Sequence, residues 1–259
     1  MTSTLHVLTA AGDVSARPRP SVGRRVAVGA AAFLSCTLPA TFAVSITYQL
    51  AAGIEADHRF HQVTGQGLLL CAFWLGGLLP LVRAGWRGVA PSVGASLQSV
   101  AVAGTALLVA AFAPGAGGLA LAVLCAVSTA LLWAALPVRP RLRGQIQGLD
   151  PVTAPVALLA ASLLTPFIIG EIWHQNHTHD EHTDMAHYFD MAWVSLTMVV
   201  LGIVAALVPA ARRRAFWTSG GLLLVGASRM AFTPDVTWSL LAMALGAVGT
   251  AALVVRNRR

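Results

Sequence analysis

Apolar runs of about twenty residues, long enough to cross the hydrocarbon core of a bilayer as α-helices, follow one another from residue 27 to residue 255. In hydrocarbon every backbone polar group must be satisfied from within the fold, which leaves only helices or a closed barrel. Continuous apolar runs, rather than alternation, select helices. Candidate spans are 27–52, 63–83, 92–113, 117–137, 153–173, 188–210, 215–232 and 236–255. The expected fold is therefore all-α: a polytopic bundle of about eight transmembrane helices in a lipid bilayer. The shortest links, at Pro114-Gly115 and Thr233-Pro234-Asp235, read as tight turns between helices. Charged residues make up 10% of the chain, against roughly 25% in soluble domains, so a soluble enzyme is excluded.

All 17 basic residues are arginine, a bias that fits a GC-rich genome. They stand in short groups between spans rather than along one face, which argues for topology signals and against a nucleic-acid partner. Arg17, Arg19, Arg24 and Arg25 precede the first span, and Arg83 and Arg87 follow the second. Arg139, Arg141 and Arg143 follow the fourth, Arg212 to Arg214 the sixth, and Arg256, Arg258 and Arg259 close the chain. Only Arg59 and Arg229 fall on the other side. The positive-inside rule then places the protein in the cell membrane with both termini cytoplasmic. Residues 1–26 read as a polar cytoplasmic tail. The apolar run after Arg24-Arg25 is too long for an excised signal segment. Cys36, Cys71 and Cys125 lie inside apolar runs and read as small buried hydrophobes.

Titratable side chains gather in two segments. Seven of the eight histidines and seven of the ten carboxylates lie in 55–61 and 171–190, both expected on the extracytoplasmic side. A shift of 126 positions pairs Gln49 with Gln175, Glu55 with Glu181, His61 with His187 and Arg87 with Arg213. This suggests an internal repeat of two parallel four-helix halves, 27–143 and 144–259, that brings the two outer loops together. His61 and His187 would then stand at equivalent helix starts. The spacing E-x-x-[HD]-x-x-H occurs three times: Glu55/His58/His61, Glu171/His174/His177 and Glu181/Asp184/His187. Residues three apart are helix neighbours, and Glu-x-x-His is the ligand unit of carboxylate-bridged metal bundles.

These nine residues are the candidate metal ligands, with Asp57, Gln49, Gln175 and Asp190 expected to support them from behind. Imidazole and carboxylate without thiolate suit Zn, Fe, Mn, Ni or Cu(II). His179, His182, Thr178 and Thr183 read as a solvated loop tip. Arg229 is expected to pair with Asp190. Phosphate-binding, dinucleotide-binding, HExxH and nucleophile-elbow motifs are absent from the sequence. The leading expectation is a membrane metalloenzyme acting at the outer leaflet on a lipophilic or periplasmic substrate. A metal- or proton-coupled transporter is the alternative, for which Thr37, Thr41, Ser45, Thr47, Gln49, Pro39 and Pro166 offer a polar, breakable path. A non-catalytic accessory subunit is the third, and clustered histidines also suit a pH sensor.

Overall fold

The computed structural model describes residues 20–54, 58–65, 67–233 and 235–257. Its elements in chain order are α1 (Val22–Ala52), α2 (Arg59–Val63), α3 (Leu68–Arg87), α4 (Val93–Phe112) and α5 (Gly118–Ala135). After a link come α6 (Thr153–His177), α7 (Glu181–Asp184), α8 (His187–Leu207), α9 (Ala215–Phe232) and α10 (Val236–Asn257), with a 3₁₀ turn at Pro209–Arg214. The all-helical membrane bundle is thus present, and there is no strand among the described residues. Of the long helices, seven are apolar and long enough to cross a membrane. The eighth, α9, spans the expected 215–232, but Thr218, Ser219, Ser228 and Arg229 make it more polar than its neighbours. Helix α1 starts at Val22, inside the segment read as a tail, because Ser21 accepts a hydrogen bond from the Arg24 N–H and caps it.

Helix α8 is the centre of the bundle: 72% of its apolar window is buried, against 22% for α1 and α6. Its Trp193 and Met198 are fully buried, as is Phe73 of α3. Lipid offers no hydrophobic drive between helices, so close packing and interhelical hydrogen bonds hold such a core. Trp193 Nε1 donates to the Val102 carbonyl at 2.8 Å. The hydroxyls of Thr105 and Thr197 meet at 2.7 Å, and Gln98 Nε2 donates to the Phe73 carbonyl at 2.8 Å.

Helices α9 and α10 show the same rule through small residues. A Cβ at Gly246 would lie 2.6 Å from the Ser219 carbonyl oxygen and 2.7 Å from the Leu223 nitrogen, both backbone atoms that cannot swing away. Gly246→Ala is accordingly expected to push α9 off α10. The cost should be about 1–3 kcal/mol, as for other overpacked contacts, measured as thermal unfolding of detergent-purified protein.

Arginines collect at one end of the bundle. Arg24 of α1 donates to the Leu136 carbonyl after α5 at 2.8 Å, and Arg214 donates to Gln98 Oε1 on α4 at 2.7 Å. Asp150, 1% exposed, caps α6 by accepting from the Thr153 N–H at 2.9 Å. It also pairs with Arg212 at 3.1 Å and with Arg256. One carboxylate therefore ties the start of α6 to the exits of α8 and α10. Burial pushes the Asp150 carboxyl up, but the Thr153 N–H, Arg256, the Thr153 hydroxyl and the Val152 N–H together bring it down to about 2. The histidine segments lie at the opposite end, where Asn176 of α6 donates to the last carbonyl of α4, Phe112, at 2.8 Å.

Candidate metal centre

Of the first-half histidines, His61 sits on α2 and His58 is its N-cap; this single turn packs on α9, α1 and α3. Gln62 anchors it by donating to the Ile54 carbonyl at 3.2 Å and to Gln49 Oε1 at 3.4 Å. Thr64, its C-cap, donates to Met191 Sδ of α8 at 3.1 Å. The chain then turns so tightly that a Cβ at Gly67 would collide with the Gln62 carbonyl. This break separates α2 from α3. His61 therefore lies in a separate turn, whereas His187 is the first residue of α8; the two are not at equivalent helix starts.

The second-half histidines come from the link between α6 and α8. Helix α6 runs to His177, a turn beyond the expected end at 173. The chain reverses, and Asp180 caps α7 by accepting from the Thr183 N–H at 2.9 Å. Gln175, 4% exposed, clamps this reversal. Its Nε2 donates to the Thr183 carbonyl at 2.9 Å and its Oε1 accepts from the Phe189 N–H at 3.0 Å. Gln175 thus holds the backbone on both sides of His187. Ala186, in the left-handed region at φ 59°, delivers the chain into α8, a strained conformation for a residue with a Cβ.

Four imidazoles meet as a result. His61 stacks on His187 with ring centroids 4.7 Å apart and planes 17° from parallel. His58 lies 5.1 Å from His187 and 5.0 Å from His182, and His182 lies 5.0 Å from His61 and 5.5 Å from His187. His58, His182 and His187 each offer a ring nitrogen within 4.8 Å of the others. His58 Nε2, His61 Nδ1 and His187 Nδ1 are buried and have no hydrogen-bond partner among the described residues. Leaving a buried polar atom unsatisfied costs about 1–3 kcal/mol. Two of these residues, His58 and His187, belong with His182 to the group of three whose nitrogens converge closely enough to hold a cation. Beside them opens a cavity of about 230 Å³ whose polar wall is Ser45, Gln49 and Gln62.

Behind His182 stands Asp180, with Oδ2 at 3.9 Å from His182 Nδ1. The same oxygen accepts from the Tyr188 hydroxyl at 2.9 Å. Burial works against the charged form, but the Thr183 N–H, the Tyr188 hydroxyl, the Thr183 hydroxyl and His182 outweigh it and hold Asp180 below the usual carboxylate range. A carboxylate behind a metal-facing imidazole is the usual device for fixing its orientation.

The remaining candidates are placed elsewhere. His174 is exposed, with Nδ1 at 3.2 Å from the Thr178 hydroxyl, and stacks on Tyr188. His177 is exposed too, stacking on Trp173 and bonding its carbonyl at 2.8 Å. The extra turn of α6 carries both out to the surface. Glu171 has a buried Oε2 without a hydrogen-bond partner and feels the charge of Arg229 on α9. Glu181 and Asp184 are exposed on α7. Glu55 and Asp57 lie outside the described residues. Of the supporting set, Gln49 lines the cavity through its contact with Gln62, and Gln175 is the clamp described above. Asp190 lies one turn into α8 and is 1% exposed. Arg229 pairs instead with Asp235 at 3.1 Å and lies over the rings of Phe167 and Trp238.

His182 and Asp180 were missed by sequence reasoning, which set His182 aside as loop tip. The signal available was Asp180-x-x-Thr183, a capping pattern that folds the intervening histidine back onto the bundle. No protein-family model matches the chain, and no curated protein or solved structure is significantly similar to it.

Proposed function

We propose that the protein is a membrane-bound metalloenzyme whose centre is formed by His58, His182 and His187, with Asp180 orienting His182. The observation that carries this is the convergence of one ring nitrogen each from His58, His182 and His187, with His58 and His187 each holding a buried nitrogen that has no hydrogen-bond partner among the described residues. Three histidines, of which His58 and His187 line a cavity, match the ligand number of catalytic zinc sites, where a bound metal would activate water as a Lewis acid. An imidazole set also suits Cu(II), Fe or Ni, and it disfavours Mn, which prefers carboxylate and water oxygens. Ser45, Gln49 and Gln62 would orient a substrate in the cavity.

Ser35, Thr37 and Thr47 of α1 donate to the carbonyls one turn back on their own helix. The arginine end is proposed to be cytoplasmic and the histidine end extracytoplasmic. The same order of long helix, one-turn helix and three further helices in 22–135 and 153–257 supports two related halves.

Metal analysis of detergent-purified protein at neutral pH tests the centre. One metal ion per chain, raising the unfolding temperature when added back to stripped protein, is the expected result. Protein that neither carries nor is stabilised by Zn, Cu(II), Fe or Ni refutes it. In intact cells an impermeant thiol reagent should label Glu181→Cys and spare Arg143→Cys; the reverse pattern would invert the orientation.

A further inference from the structure

A second cavity, of about 180 Å³, adjoins the histidine cavity. Phe42 and Met185 line both and form the partition between them. The wall is largely apolar and aromatic, with Leu70, Leu121, Trp74 and Trp193, and Cys71 and Asp190 line it as well. Trp74 and Trp193 meet edge to face at 5.4 Å. The two indoles differ in one respect. Trp193 Nε1 is engaged by the Val102 carbonyl. Trp74 Nε1 is buried, in a residue only 3% exposed, and has no acceptor among the described residues.

Size and chemistry select the occupant. An apolar cavity of ~150 Å³ holds a benzene ring, so this chamber takes one six-membered ring and little more. A bound ring bearing an oxygen would satisfy the Trp74 donor. Both side chains of the partition reach the surface: Phe42 is 38% and Met185 44% exposed. Phe42 belongs to α1, whose Phe33, Val44 and Tyr48 are open to the lipid side, and a thioether is an adaptable wall.

We propose that this chamber binds the ring of a lipid-soluble cyclic carbonyl compound, of the quinone class, admitted from the bilayer past Phe42, with its carbonyl oxygen on Trp74 Nε1. As a binding chamber it stands apart from the metal. As the place where an organic substrate meets the histidine centre, it rests on the metal reading.

The test uses the full-length protein in detergent, titrated in parallel with decyl-1,4-benzoquinone and with decylbenzene, following the unfolding temperature and binding isotherms. The quinone is expected to bind saturably and more tightly than the hydrocarbon. Trp74→Phe keeps the ring and removes the donor. It should weaken quinone binding about five- to tenfold, the worth of one hydrogen bond, and leave decylbenzene unchanged. Leu121→Trp, which fills the chamber, should abolish binding of both. Equal quinone affinity in wild type and Trp74→Phe overturns the proposal, and so does a chamber that binds neither probe and holds only water. Metal content measured on the same preparations separates the two readings. Quinone binding by metal-free protein would keep the chamber and remove the metal centre, whereas metal-loaded protein that ignores both probes would do the opposite.

Discussion

His187→Ala protein purified at neutral pH should retain less than about a tenth of the wild-type metal. Losing an outer partner alone typically costs 10–100-fold in affinity, and a lost ligand costs more. His182→Ala should behave alike, although it lies on a surface turn more than a hundred residues from His58. His179→Ala should change nothing, because that side chain is exposed and outside the ring cluster. His61→Ala should fall between, since His61 packs against His187 without joining the group of three nitrogens. Imidazole must lose its proton to bind a metal, so affinity should decline as the pH is lowered. A loop that binds metal loosely would behave otherwise: each histidine removed would cost a similar small amount. That outcome, read by metal analysis across the four variants, would dissolve the centre.

Asp150→Asn should be the most damaging single change at the arginine end. It leaves the cap geometry nearly intact but removes the charge that Arg212 and Arg256 share. The gap between about 2 and the ordinary 3.8 corresponds to roughly 2 kcal/mol, discounted for the solvent that reaches both guanidinium groups. A carboxylate held low in the fold contributes its full share above its unfolded value and loses it as pH falls towards the folded one. The stability difference between wild type and Asp150→Asn should therefore stay constant from pH 8 to about 4 and close near pH 2. Closure at pH 5–6 would mean that another group holds this end together.

Most of the architecture was legible because lipid leaves few choices: an apolar run of the right length must be a helix. The bounds of α9 and the start of α6 fall where the sequence places them. The site was harder to read because it depends on where helices stop. Periodicity in His-rich sequence does not say that α6 runs on to His177, taking His174 and His177 to the surface. Nor does a 126-residue offset reveal the break at Gly67 that isolates His61 on its own turn. His182 was set aside because loop composition looks alike whether or not a cap folds the loop inward. Arg229 found its partner six residues away in Asp235, a local solution that a search for buried partners passes over.

Because the ring cluster draws on both 58–61 and 182–187, its assembly has an order in time. His58 and His61 leave the ribosome first and wait for the second pair. At roughly 5–20 residues per second, that interval is on the order of ten seconds, during which α3 to α6 must be inserted. A nascent chain halted before α7 carries His58 alone of the three proposed ligands. For the proposed centre, metal uptake would thus be confined to chains whose synthesis has passed the start of α8.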